Sequence, residues 1–329
     1  MSKKLPRAWE PNEEAILRRI WPNDTLQEVI ETLRKAGYTD RTRTAIERKA
    51  RSLSLGKTDQ GWHKSYTTTR KGDDISALEK LDWLPTFDKF ETVRSDCVAV
   101  CSDMHIPYVD VDLVRKMCRI GSKMQAKDCI LAGDTFNQDM FSHFIRYLDP
   151  NREETSWPFE LEAVSEVLKM VLATFKNVWV TRGNHDERIL RLLMGKVGLK
   201  HIFKWVPGDV DKLIRISEYP YCYLTSGQRS YRITHPKSYS KIPTRVSSWL
   251  ANKWECSVMS AHGHRQGWVF SDAGHASIDI GGMFDPKKIE YINLSDTTHG
   301  KWNPGFFVVR HGFPYPFSRD WTDWDWWLK

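Results

Sequence analysis

Nothing in this 329-residue chain stays apolar for long. The longest unbroken hydrophobic run is Cys97 to Cys101, against the roughly 20 residues a membrane-crossing helix needs. The opening Met1-Ser2-Lys3-Lys4-Leu5-Pro6 has no apolar centre of the kind a secretory leader carries, so a cytoplasmic location and no membrane partner are expected. Cysteine is sparse as well. The six residues, Cys97, Cys101, Cys118, Cys129, Cys222 and Cys256, form no CxxC pair, which excludes a zinc ribbon and leaves them as buried thiols rather than a disulfide framework. Repeats and low-complexity tracts are missing. What is present, 40% hydrophobic and 28% charged residues, is a globular composition with length for one large domain and a small one.

Charge is unevenly placed. Residues 1–57 hold 13 Lys and Arg against 8 Asp and Glu, while the rest of the chain holds 36 against 34, so most of the net +7 sits at the N-terminus. A polyanion-binding surface, if the chain has one, is to be sought there. The same segment reads as three helices. After Glu10-Pro11-Asn12-Glu13-Glu14, the residues Ala15, Ile16, Leu17 and Ile20 repeat at helical spacing. Thr25 with Glu28 can form a capping box, Leu26, Val29, Ile30 and Leu33 line one face, and Gly37 ends the second helix. The third begins near Thr42 or Thr44, with Glu47 available to close a box on Thr44. Its apolar face is Ala45, Ile46, Ala50 and Leu53 with the stem of Lys49; the opposite face carries Arg43, Arg48 and Arg51, with Arg41 just before. Residues 58–92, with Gly61, Thr67-Thr68-Thr69 and Arg70-Lys71-Gly72, offer little to bury and read as a tether, its end packed by Trp83, Leu84 and Phe87.

Trp9, Glu13-Glu14, Arg43-Thr44-Ala45-Ile46, Lys49-Ala50 and Leu53-Ser54-Leu55-Gly56 resemble the Myb/SANT-like helix-turn-helix domains. The resemblance covers residues 1–57 and implies DNA as partner, with Arg41, Arg43, Arg48 and Arg51 as contacts. A basic face that only keeps the helix solvated is the alternative.

From Val93 the pattern becomes apolar strands alternating with helices, the mark of an α/β domain over 93–329. Strands are expected at Cys97–Cys101, Cys129–Ala132, Val178–Val180, Tyr231–Thr234, Ser257–Ala261, Ser277–Ile280 and Phe306–Val309. Asp110 can cap a helix carrying Leu113, Val114, Met117 and Cys118, and Leu161, Val164, Leu168 and Val171 mark another. Just past the ends of the first five strands stand Asp103-Met104-His105, Gly133-Asp134, Gly183-Asn184-His185-Asp186, Thr234-His235 and His262-Gly263-His264. Open α/β sheets bind ligands at that edge. Two Asp, one Asn and several His are a donor set for two neighbouring divalent cations, and the oxygen and imidazole mixture suits Mn above all, with Fe, Zn or Ni as alternatives, better than Mg or Ca.

These five motifs, in this order, resemble the calcineurin-like metallophosphoesterases over about residues 96–265. The resemblance implies a four-layer αββα sandwich of two mixed sheets. It implies one metal on Asp103, His105, Asp134 and His264, and a second on Asp134, Asn184, His235 and His262. His185 would protonate the leaving group, held by Asp186 or another carboxylate. Two positions depart from the family pattern: Asn137 stands where Asp is usual, and Ala261 where the last motif opens with Gly. Arg182, Arg188 and Lys237 are candidates for holding substrate phosphate. The reading is a metal-dependent phosphodiesterase or nuclease acting on DNA. The alternatives are a phosphomonoesterase or protein phosphatase localised by its N-terminal domain, and a DNA-binding regulatory protein with a vestigial site. The aromatic end, Trp321, Trp324, Trp326 and Trp327, reads as a tail folded onto its own domain, with base stacking or a docked partner as the alternative. An oligomeric state is not legible.

Overall fold

The computed structural model describes residues 8–56, 87, 89–142, 153, 156–289, 293 and 302–329. The chain divides into two compact units, Met1–Thr86 and Phe87–Lys329.

In the first unit, α1 (Pro11–Ile20) starts with proline in its first turn behind a Glu10–Glu13 capping box. α2 (Leu26–Lys35) has the expected box, Thr25 Oγ1 accepting from Glu28 N and Thr25 N donating to Glu28 Oε2. Gly37, at φ +93°, closes it: Gly37 N donates to Arg34 O and Tyr38 N to Leu33 O, both at 2.9 Å. α3 (Arg43–Ser52) is capped by Thr42, not Thr44; Glu47 pairs with Arg43 instead of closing a box. Leu17, Val29, Leu33, Tyr38, Ile46 and Ala50 form the core. Beside it, the buried carboxylate of Glu13 receives Arg41 Nε at 2.6 Å, and the Arg41 guanidinium lies 4.4 Å over Trp9.

The second unit contains two six-stranded sheets. One runs β12 (Phe313–Ser318), β11 (Gly305–Arg310), β2 (Cys97–Cys101), β3 (Asp128–Ala132), β4 (Asn177–Thr181), β5 (Ile214–Ile216). In it β2 to β5 are parallel, while β11 is antiparallel to β2 and to β12. The other runs β1 (Thr92–Arg94), β6 (Tyr221–Ser226), β7 (Arg229–Thr234), β8 (Ser257–Ser260), β10 (Ala276–Ile280), β9 (Gln266–Phe270), and is likewise mixed.

The two-residue repeat of a strand sorts its side chains between layers. Val98, Val100, Ile130, Ala132, Phe307 and Val309 join Leu224, Ile233, Met259, Ile278 and Ile280 in the core between the sheets. Their neighbours Ala99, Cys101, Cys129, Leu131, Phe306 and Val308 turn outward to the helices α4 (Val111–Lys123) and α5 (Trp157–Thr174). On the other outer face, α8 (Arg245–Trp254) packs Leu250 and Ala251 on Val258. The remaining helices are α6 (Glu187–Leu192), α7 (Leu199–Phe203) and α9 (Trp324–Leu328). The αββα sandwich is therefore the observed fold. All seven expected strands are present, and Asp110 caps α4 through Leu113 N at 3.0 Å.

Some expectations need correction. Phe87 is 81% exposed instead of packed, and the tether ends by Thr92, which already pairs with Tyr223. Residues 57–86, including Trp83 and Leu84, lie outside the described residues. The strands β1, β5, β6, β9 and β12 were not expected. β12 carries Pro314 and Pro316, a pattern that argues against a strand unless it lies at a sheet edge, where β12 does lie. All six cysteines are free. Among the described residues no helix is long and apolar enough to cross a membrane. In the aromatic tail, Trp324 and Trp327 pack on Phe317, whereas Trp321 and Trp326 are exposed.

Candidate metal centre

The carboxyl ends of β2, β3 and β4 from one sheet and of β7 and β8 from the other meet along one line, and the loops leaving them turn abruptly. Asp103 (φ +51°), His105 (+44°), Asp134 (+51°), His262 (+71°) and His264 (+54°) all lie in the left-handed region. For residues with a side chain this costs about 1–3 kcal/mol each, and such strain concentrates where a fold must aim functional groups. Five of the seven expected ligands carry it. The strain is held by bonds between loops: Asp103 N to Gly133 O at 3.0 Å, His105 N to Asp134 O at 3.0 Å, His185 N to Asp134 Oδ1 at 2.8 Å, and His262 N to Asp103 Oδ2 at 3.2 Å.

Two glycines permit this approach. A methyl group on Gly133 (φ +85°) would strike the His235 imidazole and the Gly183 backbone. One on Gly183 would overlap Asp134 Oδ1 and N. Both positions exclude alanine because ligand-bearing loops pass in contact.

The expected ligands converge. His264 Nε2 lies 3.1 Å from Asp103 Oδ1 and 3.2 Å from His105 Nε2. His235 Nε2 lies 3.3 Å from Asp134 Oδ2 and 3.0 Å from Asn184 Oδ1. Donor atoms of Asp103, His105 and His264 fall within 4.8 Å of one another, as do those of Asp134, His235 and His262, and those of His105, Asp134 and His185. The chemistry of this set fits cations. Asp103 Oδ1 and Asp134 Oδ2 are buried with no hydrogen-bond donor. His235 Nδ1 donates to Ala132 O at 2.9 Å, which turns Nε2 toward Asn184 Oδ1 and Asp134 Oδ2. Buried carboxylate oxygens crowded against imidazole nitrogens call for positive charge between them, which divalent ions would supply.

Without a cation, a proton on His235 supplies part of that charge. Burial lowers His235, but the Asp134 and Asp103 carboxylates outweigh it and hold the imidazole up at about 10. Burial raises Asp103, yet His264 and His235 bring it down to about 2. Asp134, buried among His235, His185 and His105, is held well below the usual carboxylate range. Burial and then His185 push His105 well below its ordinary value, and burial with His235 lowers His262 to about 4. The carboxylates thus stay ionised inside the protein, as ligands must.

Asp186, expected to hold His185, does something else. Its Oδ2 accepts from Asp134 N at 2.9 Å and Gly183 N at 2.8 Å, and its Oδ1 from Phe136 N at 3.0 Å. It ties the β3 loop to the β4 loop and is a positioning residue. His185 is held by Asn137 O, 2.9 Å from Nδ1, and faces Arg188 Nη2 3.1 Å from Nε2. A carbonyl only accepts and a guanidinium only donates, so the proton sits on Nδ1 and Nε2 is bare. Burial lowers its pKa, and Arg188 adds to that against Asp134. In this arrangement His185 is a neutral imidazole, not the imidazolium expected. Asn137 offers the ring its backbone carbonyl; its own N–H donates to Glu160 Oε1 at 2.9 Å.

The candidate phosphate-holding cations are engaged. Arg182 Nε lies 3.4 Å and Lys237 Nζ 3.5 Å from Glu187, while Arg188 Nη1 meets Asp139 Oδ1 at 2.8 Å. Ala261, in place of glycine, is buried and donates its N–H to Thr234 O at 2.9 Å, so the strand end is kept. In the N-terminal unit Arg43, Arg48 and Arg51 are exposed. Arg41 is corrected: its side chain is only 5% exposed and serves Glu13.

Three features escaped the sequence. Phe284 and Trp302 wall the site, their rings 4.7 and 4.8 Å from that of His264. Both come from loops with no local signature. Glu160 is buried and receives the backbone N–H groups of Asn137 and Gln138. Its signal was present, since an acid four residues before Val164 sits on an otherwise apolar stripe.

The sequence pattern of the calcineurin-like phosphoesterases matches residues 98–327. Comparison with the curated proteins gives no match. Among solved structures, Vps29 from Chaetomium thermophilum is similar at 12% identity, covering 65% of this chain and 84% of that one, with a TM-score of 0.36. Yfce, a phosphoesterase from E. coli, shares 12% identity over 64% of this chain and 87% of its own, with a TM-score of 0.32. The nuclease MPE of Pseudomonas putida shares 14% over 67% and 87%, with a TM-score of 0.31. At such scores these likenesses carry no argument about chemistry.

Proposed function

Because the chain belongs to the calcineurin-like phosphoesterases, and is a metal-dependent hydrolase of that kind, we propose that it is a two-metal phosphodiesterase acting on DNA. The observation that carries the metal reading is the pair of buried carboxylate oxygens, Asp103 Oδ1 and Asp134 Oδ2, each crowded against an imidazole Nε2 where its loop meets another. One cation would be held by Asp103, His105, Asp134 and His264, the other by Asp134, Asn184, His235 and His262, with Asp134 shared. Divalent ions held there, Mn in this reading, would neutralise phosphoryl charge and lower the pKa of a bound water to about 7.

The protein's own groups do the rest. Arg188, partly exposed and 3.1 Å from His185 Nε2, supplies positive charge for a phosphoryl oxygen at that position. Once that oxygen replaces the guanidinium contact, the bare Nε2 of His185 would take up a proton and pass it to the leaving oxygen, a role typically contributing about 10²–10⁴-fold. Asp186 and Asn137 fix the loop and the ring. Phe284 and Trp302 exclude water from the His264 side.

DNA as substrate is supported by the N-terminal unit. Arg43, Arg48 and Arg51 stand exposed on α3 of a three-helix unit that holds most of the chain's net positive charge. A Myb/SANT-like module with that helix in the major groove would hold the catalytic unit at its substrate. The test is hydrolysis with Mn²⁺ of a small phosphodiester, a small phosphomonoester, and single- and double-stranded DNA. Diester and DNA turnover should exceed monoester turnover, and Asp134→Ala should abolish all of it. Monoester preference without DNA turnover would make the protein a phosphatase.

A further inference from the structure

A groove with no part in the account so far opens beside the metal ligands. Ser238, Tyr239, Ser240, Arg245, Val246 and Trp249 line it, and it encloses about 320 Å³. Ligand pockets span about 300–1,000 Å³, so this open groove is at the small end of that range, the size of one nucleotide. Tyr239 joins it to the centre, its ring 6.5 Å from that of His262.

The lining is not that of a packed core. Tyr239 and Trp249 are 42% and 54% exposed. Arg245 is exposed, and its guanidinium meets no partner among the described residues, in contrast to the engaged Arg182, Arg188 and Lys237. Arg245 and Trp249 are one helical turn apart on α8 and so share a face. Lys253 Nζ lies 5.1 Å from the Trp249 ring and adds positive charge.

A buried acid lies between the start of α8 and the ligand loop. Asp279, 7% exposed, accepts from Thr244 N at 2.6 Å and so fixes the start of α8. The same carboxylate lies 3.9 Å from where a Cβ of Gly263 would stand, between His262 and His264.

We propose that this groove is a nucleotide subsite of the catalytic unit. The base stacks on Tyr239 and Trp249, Arg245 takes the phosphate next to the one being cleaved, and Ser238 and Ser240 meet sugar or base edges. Ring faces accept every base, so the subsite recognises a nucleotide without reading its sequence. A guanidinium with no competing carboxylate is the group that binds phosphate in a fork. The assignment rests on the phosphodiesterase reading for its place in catalysis, not for its binding.

The test uses the full chain. In EDTA, calorimetry should show a nucleoside monophosphate binding at least about ten-fold more tightly than inorganic phosphate. Trp249→Ala and Arg245→Ala should each remove about ten-fold of the nucleotide affinity; Tyr239→Ala, on a loop, serves where a helix variant unfolds. Equal binding of nucleotide and phosphate by the wild type, or unchanged affinity in the variants, overturns the subsite. With Mn²⁺, kcat/KM for the p-nitrophenyl ester of a nucleoside monophosphate is compared with that for bis(p-nitrophenyl) phosphate. The ratio should fall about ten-fold in Trp249→Ala, and an unchanged ratio again overturns the subsite. Nucleotide binding with hydrolysis of neither diester would instead overturn the phosphodiesterase reading and leave the subsite standing.

Discussion

Replacing Asp186 by alanine separates positioning from chemistry. The carboxylate receives three backbone N–H groups, those of Asp134, Gly183 and Phe136, at 2.8–3.0 Å in a fully buried place. A buried donor left without an acceptor costs about 1–3 kcal/mol, so three cost about 3–9 kcal/mol. Water entering the vacated volume would satisfy some of them, which favours the lower end. For a domain of 150–250 residues each kcal/mol shifts Tm by about 2–4 °C, giving a fall of about 6–12 °C. Loss of a group that orients a ligand also weakens metal affinity, by about 10–100-fold. Circular dichroism melts in EDTA measure the first effect and calorimetric titration with Mn²⁺ the second. Asp186→Asn, which keeps one acceptor oxygen, should fall between. A variant that melts within about 2 °C of wild type and binds Mn²⁺ equally well, yet has lost turnover, would place Asp186 on the substrate and refute the positioning account.

Gly183→Ala should lower both Tm and Mn²⁺ affinity, because the added methyl overlaps Asp134 Oδ1 and N directly; a wild-type Tm with equal affinity by calorimetry would remove the close-approach argument. Glu160 is raised by burial to about 8. Its unfolded form ionises near 4.5, so its contribution is present below that pH and is lost as pH rises to about 8. The Tm of Glu160→Gln relative to wild type should therefore climb between those limits, and a flat difference would contradict the raised value. In the N-terminal unit, changing Arg43, Arg48 and Arg51 together to alanine should reduce the slope of log affinity for DNA against log salt by up to about 2.7, at about 0.9 per phosphate contact. An unchanged slope would take DNA off α3.

The residues that cluster at the candidate metal centre were more legible than the strands around it. Ligand motifs sit where short apolar runs stop, and cation chemistry restricts the residue types, so Asp103 through His264 could be read in order. Strands such as β6, with Tyr221, Tyr223 and Thr225 alternating against Cys222, Leu224 and Ser226, carry an amphipathic pattern shared with many loops. β12 hides behind two prolines that only an edge position tolerates. Roles inside the site were harder again. Asp186 beside His185 in sequence looks like its partner, yet the turn sends the carboxylate to backbone N–H groups of another loop. Arg41 lies next to a basic helix, but a buried Glu13 nearly thirty residues earlier claims it. Such assignments depend on which loops touch, and no local pattern records that.

The central claim is that two cations share Asp134. Anomalous scattering from crystals soaked in Mn²⁺ tests it most directly. Two peaks should appear, one among Asp103, His105 and His264 and the other among Asn184, His235 and His262, with Asp134 reaching both. A single peak, or manganese bound away from Asp134, would contradict the account.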